Sequence, residues 1–141
     1  MNDVSTPIED EYEFQKLMGY QLVEWEQDRA VLNCPMKPKL TNRQGQPHGG
    51  MLATLMDTAM GYCGCFAGAD EVSIHCMTLT LTSNYLSRPK GKMLIAEGRK
   101  TGGGKRVFFA EASVKDETGE LIATASGSFR YRQTYQDPPK N

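Results

Sequence analysis

The sequence predicts an α+β domain in which an antiparallel β-sheet wraps around one long central helix. Three observations predict it. Gly49–Phe66 carries an apolar stripe at helical spacing yet has no charged outer face. Ser73–Leu86 alternates as a strand does. The rest of the chain holds three more strand-like runs joined by glycine turns.

Each element follows in order. Ile8–Met18 reads as a short amphipathic helix stopped by Gly19. Tyr20–Trp25 and Ala30–Cys34 make a hairpin turning at Gln27-Asp28, and Pro35–Pro47 is a loop rich in Pro, Gly, Asn and Lys. In the central helix Leu52, Leu55, Met56, Ala59, Met60 and Cys63 form the stripe. Its other side, Ala53, Thr54, Asp57, Thr58 and Gly61, is small rather than charged, so most of the helix is enclosed. On the strand that follows, alternation places Met77, Leu79, Leu81 and Tyr85 on one face and Thr78, Thr80 and Thr82 on the other. Lys92–Lys100, Arg106–Lys115 and Leu121–Arg132 complete a meander, with turns in TGGG at 101–104 and DETG at 116–119. Residues 1–19 read as an N-terminal segment, 20–132 as the folded domain and 133–141 as a frayed tail. This order is the layout of the hotdog fold.

At 141 residues the chain suits one domain with a real core. A net charge of −1 gives no reason to expect nucleic acid or an anionic membrane as partner. The acidic start MNDVSTPIEDEYEF lacks an apolar signal region, and the least polar run, Gly49–Ala69, contains Asp57 and five glycines. A cytoplasmic protein is expected. Cys34, Cys63, Cys65 and Cys76 form no CxxC pair and only two histidines are available, so reduced thiols are expected rather than zinc or disulfides.

One residue stands out in the helix. From Gln44 to Ala69 the only charged side chain is Asp57. A carboxylate on an enclosed helix must be hydrogen-bonded, paired or functional, because an isolated buried charge is costly. Its bland alternatives are a bond to the hydroxyl of Thr54 or Thr58, or partial exposure at a helix edge. Gly49 and Gly50 open the same helix, where the first N–H groups lack intrahelical acceptors and the dipole favours negative charge. Without a Cβ, these glycines let a ligand oxygen approach the backbone; alternatively they merely start the helix. A third feature is charge: Arg88 to Arg106 holds seven basic residues against one acid, Glu97, on a chain otherwise acidic. Arg88, Lys90, Lys105 and Arg106 are therefore candidates for phosphate contacts, against the alternative of a solvated basic face. TGGGKR lacks the spacing and the following helix of a Walker loop.

Asn42, Gly45, His48, Gly49, Gly50 and Asp57 give N-x-x-G-x-x-H-G-G-x6-D. This closely resembles the PaaI-like group of hotdog-fold acyl-CoA thioesterases. NYLSRP at 84–89 resembles that group's tyrosine–proline segment, with Ser87 intervening where members often run tighter. The likeness covers roughly Tyr20 to Tyr131. It implies hydrolysis of an acyl-CoA thioester without metal or redox cofactor, coenzyme A being part of the substrate. Asp57 would be general base or nucleophile, and the Gly49 N–H the oxyanion donor, with Gly50 beside it. The Asn42 amide would orient the carbonyl or the water, and His48 would organise the loop unless it is a plain cap or core residue. Thr78 would hold the water beside Asp57 unless it is an ordinary strand threonine.

Gly49 and Asp57 are eight residues apart, roughly 12 Å along a helix axis. One subunit can hardly supply both to one carbonyl, so a homodimer with shared sites is expected, with dimers pairing into tetramers left open. The rival is a non-catalytic acyl-CoA-binding hotdog module, a sensor or carrier, which keeps the basic patch and the helix N-terminus but does not need Asp57. A hotdog dehydratase or isomerase is a third class, disfavoured because its usual Asp/His signature is missing.

Overall fold

The computed structural model describes residues 8–68 and 73–132. The expected tail at 133–141 and the first seven residues lie outside them. The elements are α1 (Glu13–Met18), β1 (Gln21–Glu26), β2 (Arg29–Pro35), α2 (Gly49–Cys63), β3 (Cys76–Tyr85), β4 (Met93–Gly103), β5 (Val107–Asp116) and β6 (Leu121–Tyr131). A single 3-10 turn, Pro38–Leu40, interrupts the loop before α2. The six strands form one antiparallel sheet in the order β1-β2-β4-β5-β6-β3, with α2 against its concave face: a hotdog fold. No helix among the described residues is long and apolar enough to cross a membrane.

The stripe on α2 is the centre of the core. Leu55, Met56, Ala59, Met60 and Cys63 are buried against Leu32, Leu94, Phe108 and Phe129, the two phenylalanines stacking at 5.0 Å. Two glycines set how close the helix comes. A Cβ on Gly98 of β4 would lie 2.4 Å from the Ala59 carbonyl oxygen, so backbone meets backbone there. Gly64 sits on the Phe108 ring, where a Cβ would come within 2.3 Å of a ring carbon. That contact, with Cys65 N–H turning back to the Tyr62 carbonyl, ends α2 at Cys63 rather than at the expected Phe66.

Other boundaries differ from the expectation for tertiary reasons. Helix α1 begins at Glu13, not Ile8. The preceding segment is held by contacts across the molecule: Tyr12 hydroxyl to Tyr20 hydroxyl, and Tyr62 hydroxyl to Glu9 at 2.5 Å. Strand β4 continues through Thr101–Gly103, so the hairpin tip is Gly104–Arg106, closed by Gly104 N–H to the Val107 carbonyl at 2.9 Å. Strand β3 starts at Cys76 rather than Ser73.

The faces of β3 also require correction. Thr78 pairs with Phe129 and Thr80 with Ser128, which leaves Leu79 as the extra residue of a bulge. The bulge resets the alternation. Thr78 shares the helix-facing side with Leu81, Ser83 and Tyr85, opposite Gly127, Ala125 and Ala123. Thr80, Thr82 and Asn84 lie on the outer side. As an edge strand β3 is bonded only to β6 among the described residues, and most of it is exposed.

Candidate active site

The site begins in the loop that leads into α2. Asn42 Oδ1 accepts from the N–H groups of Gln44 (2.8 Å) and Gln46 (3.2 Å). Two donors converging on one atom identify it as the oxygen, which leaves the amide NH2 without an acceptor among the described residues. Gly45 supplies the left-handed turn at φ 76 and donates to the Asn42 carbonyl at 3.0 Å. His48 N–H then bonds the Leu40 carbonyl at 2.9 Å, fixing where the helix starts.

His48 is the N-cap of α2, and its Nδ1 accepts the Gly50 N–H at 2.9 Å. A neutral His48 therefore carries its proton on Nε2. A Cβ on Gly50 would crowd Nδ1 at 3.1 Å, so this glycine serves the cap, and its N–H is already engaged. The Gly49 N–H has no acceptor among the described residues. The two glycines thus divide their work, a distinction that spacing does not carry.

Tyr85 lies across this helix start. Its hydroxyl donates to the Gly49 carbonyl at 3.0 Å and accepts from Ser83 Oγ at 3.0 Å. Sequence reasoning noted the tyrosine–proline segment but assigned Tyr85 no place in the site. Simple alternation places Tyr85 and Thr78 on opposite sides, which the bulge reverses.

Asp57 sits two turns further along α2, half-buried. Its Oδ1 accepts the Thr78 hydroxyl at 2.6 Å, and the second oxygen has no partner among the described residues. Neither neighbouring threonine holds it: Thr54 Oγ1 bonds the Gly50 carbonyl at 2.9 Å instead, and the hydroxyl that Asp57 accepts is that of Thr78. Asp57 and Thr78 line a cavity of about 640 Å³ whose far wall includes Trp25, Tyr62 and Phe66. Burial pushes the phenols of Tyr62, in that wall, and of Tyr20, in the core, well above their ordinary range, so both keep their protons. Among the described residues no group of three or more His, Cys, Asp and Glu is placed to hold a metal.

The candidate cations do not converge within one chain. Arg88 and Lys90 lie in the β3–β4 connection, at the end of the sheet where β4 begins. Lys105 and Arg106 lie at the β4–β5 tip, the other end. The 11 residues of β4 separate them by roughly 35 Å at about 3.3 Å per residue. Lys90 pairs with Glu120 at 3.0 Å, Arg99 with Glu97 at 2.6 Å and Lys100 with Asp28 at 3.9 Å. Arg88, Lys105 and Arg106 have no ion pair among the described residues.

Buried Asp116 anchors the connection that carries Arg88 and Lys90. Its carboxylate accepts the Thr118 hydroxyl at 2.6 Å and the N–H groups of Lys90 and Gly91 at 2.6 and 2.8 Å. The Thr118 hydroxyl above all, then the Gly91, Lys90 and Glu120 N–H groups, holds it well below the usual carboxylate range against the opposing effect of desolvation.

Comparisons with known proteins agree with this architecture. The pattern of the thioesterase superfamily matches residues 44–123, the stretch that contains His48, Gly49, Asp57, Thr78 and Tyr85. A Halobacterium salinarum protein described as a putative esterase is 32% identical over 130 residues, covering 86% of this chain and 85% of its own. A Bacillus halodurans protein solved with CoA superposes with a TM-score of 0.73 at 28% identity, covering 86% of this chain and 79% of that one. The E. coli PaaI protein from the phenylacetic acid degradation operon shares the fold at a TM-score of 0.74 and 18% identity, over 85% and 84% of the two chains. By its matched pattern and its relatives, the chain belongs to the thioesterase superfamily.

Proposed function

We propose that the protein hydrolyses acyl-CoA thioesters to free acid and coenzyme A, at sites shared between the subunits of a two-fold dimer. One observation carries the reading: Asp57 is clamped by Thr78 on one oxygen with the other unpartnered, in a cavity large enough for an acyl group. A carboxylate so held can take a proton from water attacking the thioester carbonyl. The Thr78 hydroxyl fixes the carboxylate's orientation. Charge then develops on the carbonyl oxygen, and the unpartnered Gly49 N–H is the donor suited to it, with the free Asn42 amide beside the same helix start. His48 is not the base in this scheme, because its Nδ1 is committed to Gly50.

The dimer follows from distance. Gly49 and Asp57 of one chain stay roughly 12 Å apart along α2. Strand β3 offers an unpaired edge carrying exposed Met77, Leu79 and Leu81. Antiparallel pairing of two β3 edges about an axis near Leu81 brings one copy's Tyr85–Gly49 end beside the other's Thr78–Asp57. It also carries Arg88 and Lys90 of one copy toward the end that holds Lys105 and Arg106 of the other, gathering the divided cations for the phosphates of coenzyme A. The relative solved with CoA supports that choice of ligand.

The test is thiol release from a panel of acyl-CoAs by wild type and Asp57→Asn. The variant is expected to lose about 10²–10⁴ in rate while keeping its fold and oligomeric state. A folded Asp57→Asn protein with wild-type turnover would overturn the reading. Tight CoA-ester binding with no release from any panel member would favour a binding module instead.

A further inference from the structure

Gly61 is a glycine that packing does not explain. It lies in the last turn of α2 on ordinary helical backbone, where alanine would be the better helix former. Gly64 and Gly98 must be small, because a Cβ would strike the Phe108 ring or the Ala59 carbonyl. Among the described residues, a Cβ on Gly61 would meet only the Cys76 sulfur, at 3.7 Å, an ordinary van der Waals contact. Gly61 also lines the Asp57 cavity. It follows Asp57 by four residues, so both sit on one face of α2, roughly 6 Å apart along the axis. The room a side chain would take is therefore cavity, one turn past the carboxylate. Beyond it stand Tyr62 and Phe66, each edge to face with Trp25 at 5.2 and 5.7 Å. Tyr62 is fixed there: its hydroxyl donates to Glu9 at 2.5 Å and its carbonyl accepts the Trp25 Nε1–H at 2.9 Å.

We propose that Gly61 determines acyl specificity at this site, its missing side chain leaving a channel for an apolar acyl chain that runs from Asp57 along α2 to the Trp25–Tyr62–Phe66 cluster. The inference rests on the thioesterase reading and adds the substrate class to it. A carbonyl held at Asp57 stops roughly 6 Å short of Gly61. An extended chain gains about 1.2 Å per bond, since a residue's three backbone bonds span about 3.6 Å. About five bonds are then needed to reach Gly61. Acyl chains of about six carbons or more touch Gly61 and the rings beyond it, whereas an acetyl group ends before them. Each methylene buried past that point adds affinity that a short chain cannot gain.

The experiment measures kcat/KM for acetyl-, butanoyl- and octanoyl-CoA with wild type, Gly61→Ala and Gly61→Leu, beside a thermal melt of each. Wild type should favour octanoyl-CoA over acetyl-CoA. One methylene of misfit in an apolar pocket costs about 10–200-fold, so the octanoyl-to-acetyl ratio should fall at least about ten-fold in Gly61→Leu and by a smaller factor in Gly61→Ala. Gly61→Ala should also melt about 2–4 °C higher, because alanine favours the helix and its Cβ crowds nothing. A wild type that favours acetyl-CoA, or a Gly61→Ala that melts lower, would overturn the proposal. So would an unchanged ratio in a folded Gly61→Leu, or in Gly61→Ala where the leucine variant does not fold.

Binding separates this proposal from the reading on which it rests. In an Asp57→Asn background, isothermal titration calorimetry reads the affinities of octanoyl-CoA and coenzyme A without turnover. Adding Gly61→Leu should weaken octanoyl-CoA at least about ten-fold more than coenzyme A. Equal weakening of the two would overturn the channel. A wild type that cleaves none of the three esters, with the binding difference intact, would instead refute the thioesterase reading and leave the channel standing.

Discussion

The two glycines of the HGG run show how a single atom separates structure from chemistry. Gly50 gives its N–H to His48, and a Cβ there would press on the cap. Gly49 keeps its N–H unpartnered beneath Tyr85. Proline suits the first position of a helix and removes only an N–H that no carbonyl uses, and His48 already has the extended backbone that precedes proline comfortably (φ −64, ψ 135). Gly49→Pro should therefore leave thermal stability nearly unchanged and lower acyl-CoA turnover by about 10²–10³. Steady-state kinetics beside a thermal melt checks both halves. A large loss of stability, or full activity, would remove Gly49 from the oxyanion role.

Elements here are held at the distances their smallest residues permit. Gly98 lets α2 ride directly on β4, and its replacement by alanine forces backbone against backbone at Ala59. Gly98→Ala should destabilise the fold by about 1–3 kcal/mol, measurable as a lower denaturation midpoint with an unchanged slope. The β5–β6 turn grips the β3–β4 connection through Asp116. Because folding depresses this carboxyl, its stabilisation is fully present above its unfolded value of about 3.9 and is lost as pH falls from there toward its lower folded value. Asp116→Asn should thus be less stable than wild type at neutral pH, with the gap closing below about pH 4 in melts recorded across pH.

At the scale of the molecule, Asp57 and Gly49 belong to one helix and cannot serve one carbonyl together. Mixing two inactive proteins tests this. Asp57→Asn keeps Gly49, and Gly49→Pro keeps Asp57, so a mixed dimer rebuilds one site of its two. After co-refolding in equal amounts, about a quarter of wild-type activity should return, since half the dimers are mixed. No recovery in verified mixed dimers would place the whole site within one chain. In the proposed dimer exposed β3 is the pairing surface, and its bulge directs Thr78 and Tyr85 to the same side of the strand.

The sequence by itself determined the hotdog order of elements, the buried stripe of α2 and the short list from Asn42 to Asp57. Helical spacing, strand alternation and a lone carboxylate in an apolar run are local signals, and they survive in any tertiary setting. Tertiary structure alone decided the rest. It stopped α2 at Cys63 because Gly64 meets Phe108, and it delayed α1 because Glu9 and Tyr12 are bonded across the molecule. It put Tyr85 over the helix start, because a bulge has no signature in an alternating run of threonines and apolar residues. It also parted Arg88 and Lys90 from Lys105 and Arg106, neighbours along the chain but opposite ends of an extended strand. Strands carry sequence neighbours apart at about 3.3 Å per residue, whereas pairing brings distant residues together, and only the folded sheet records which of the two has happened.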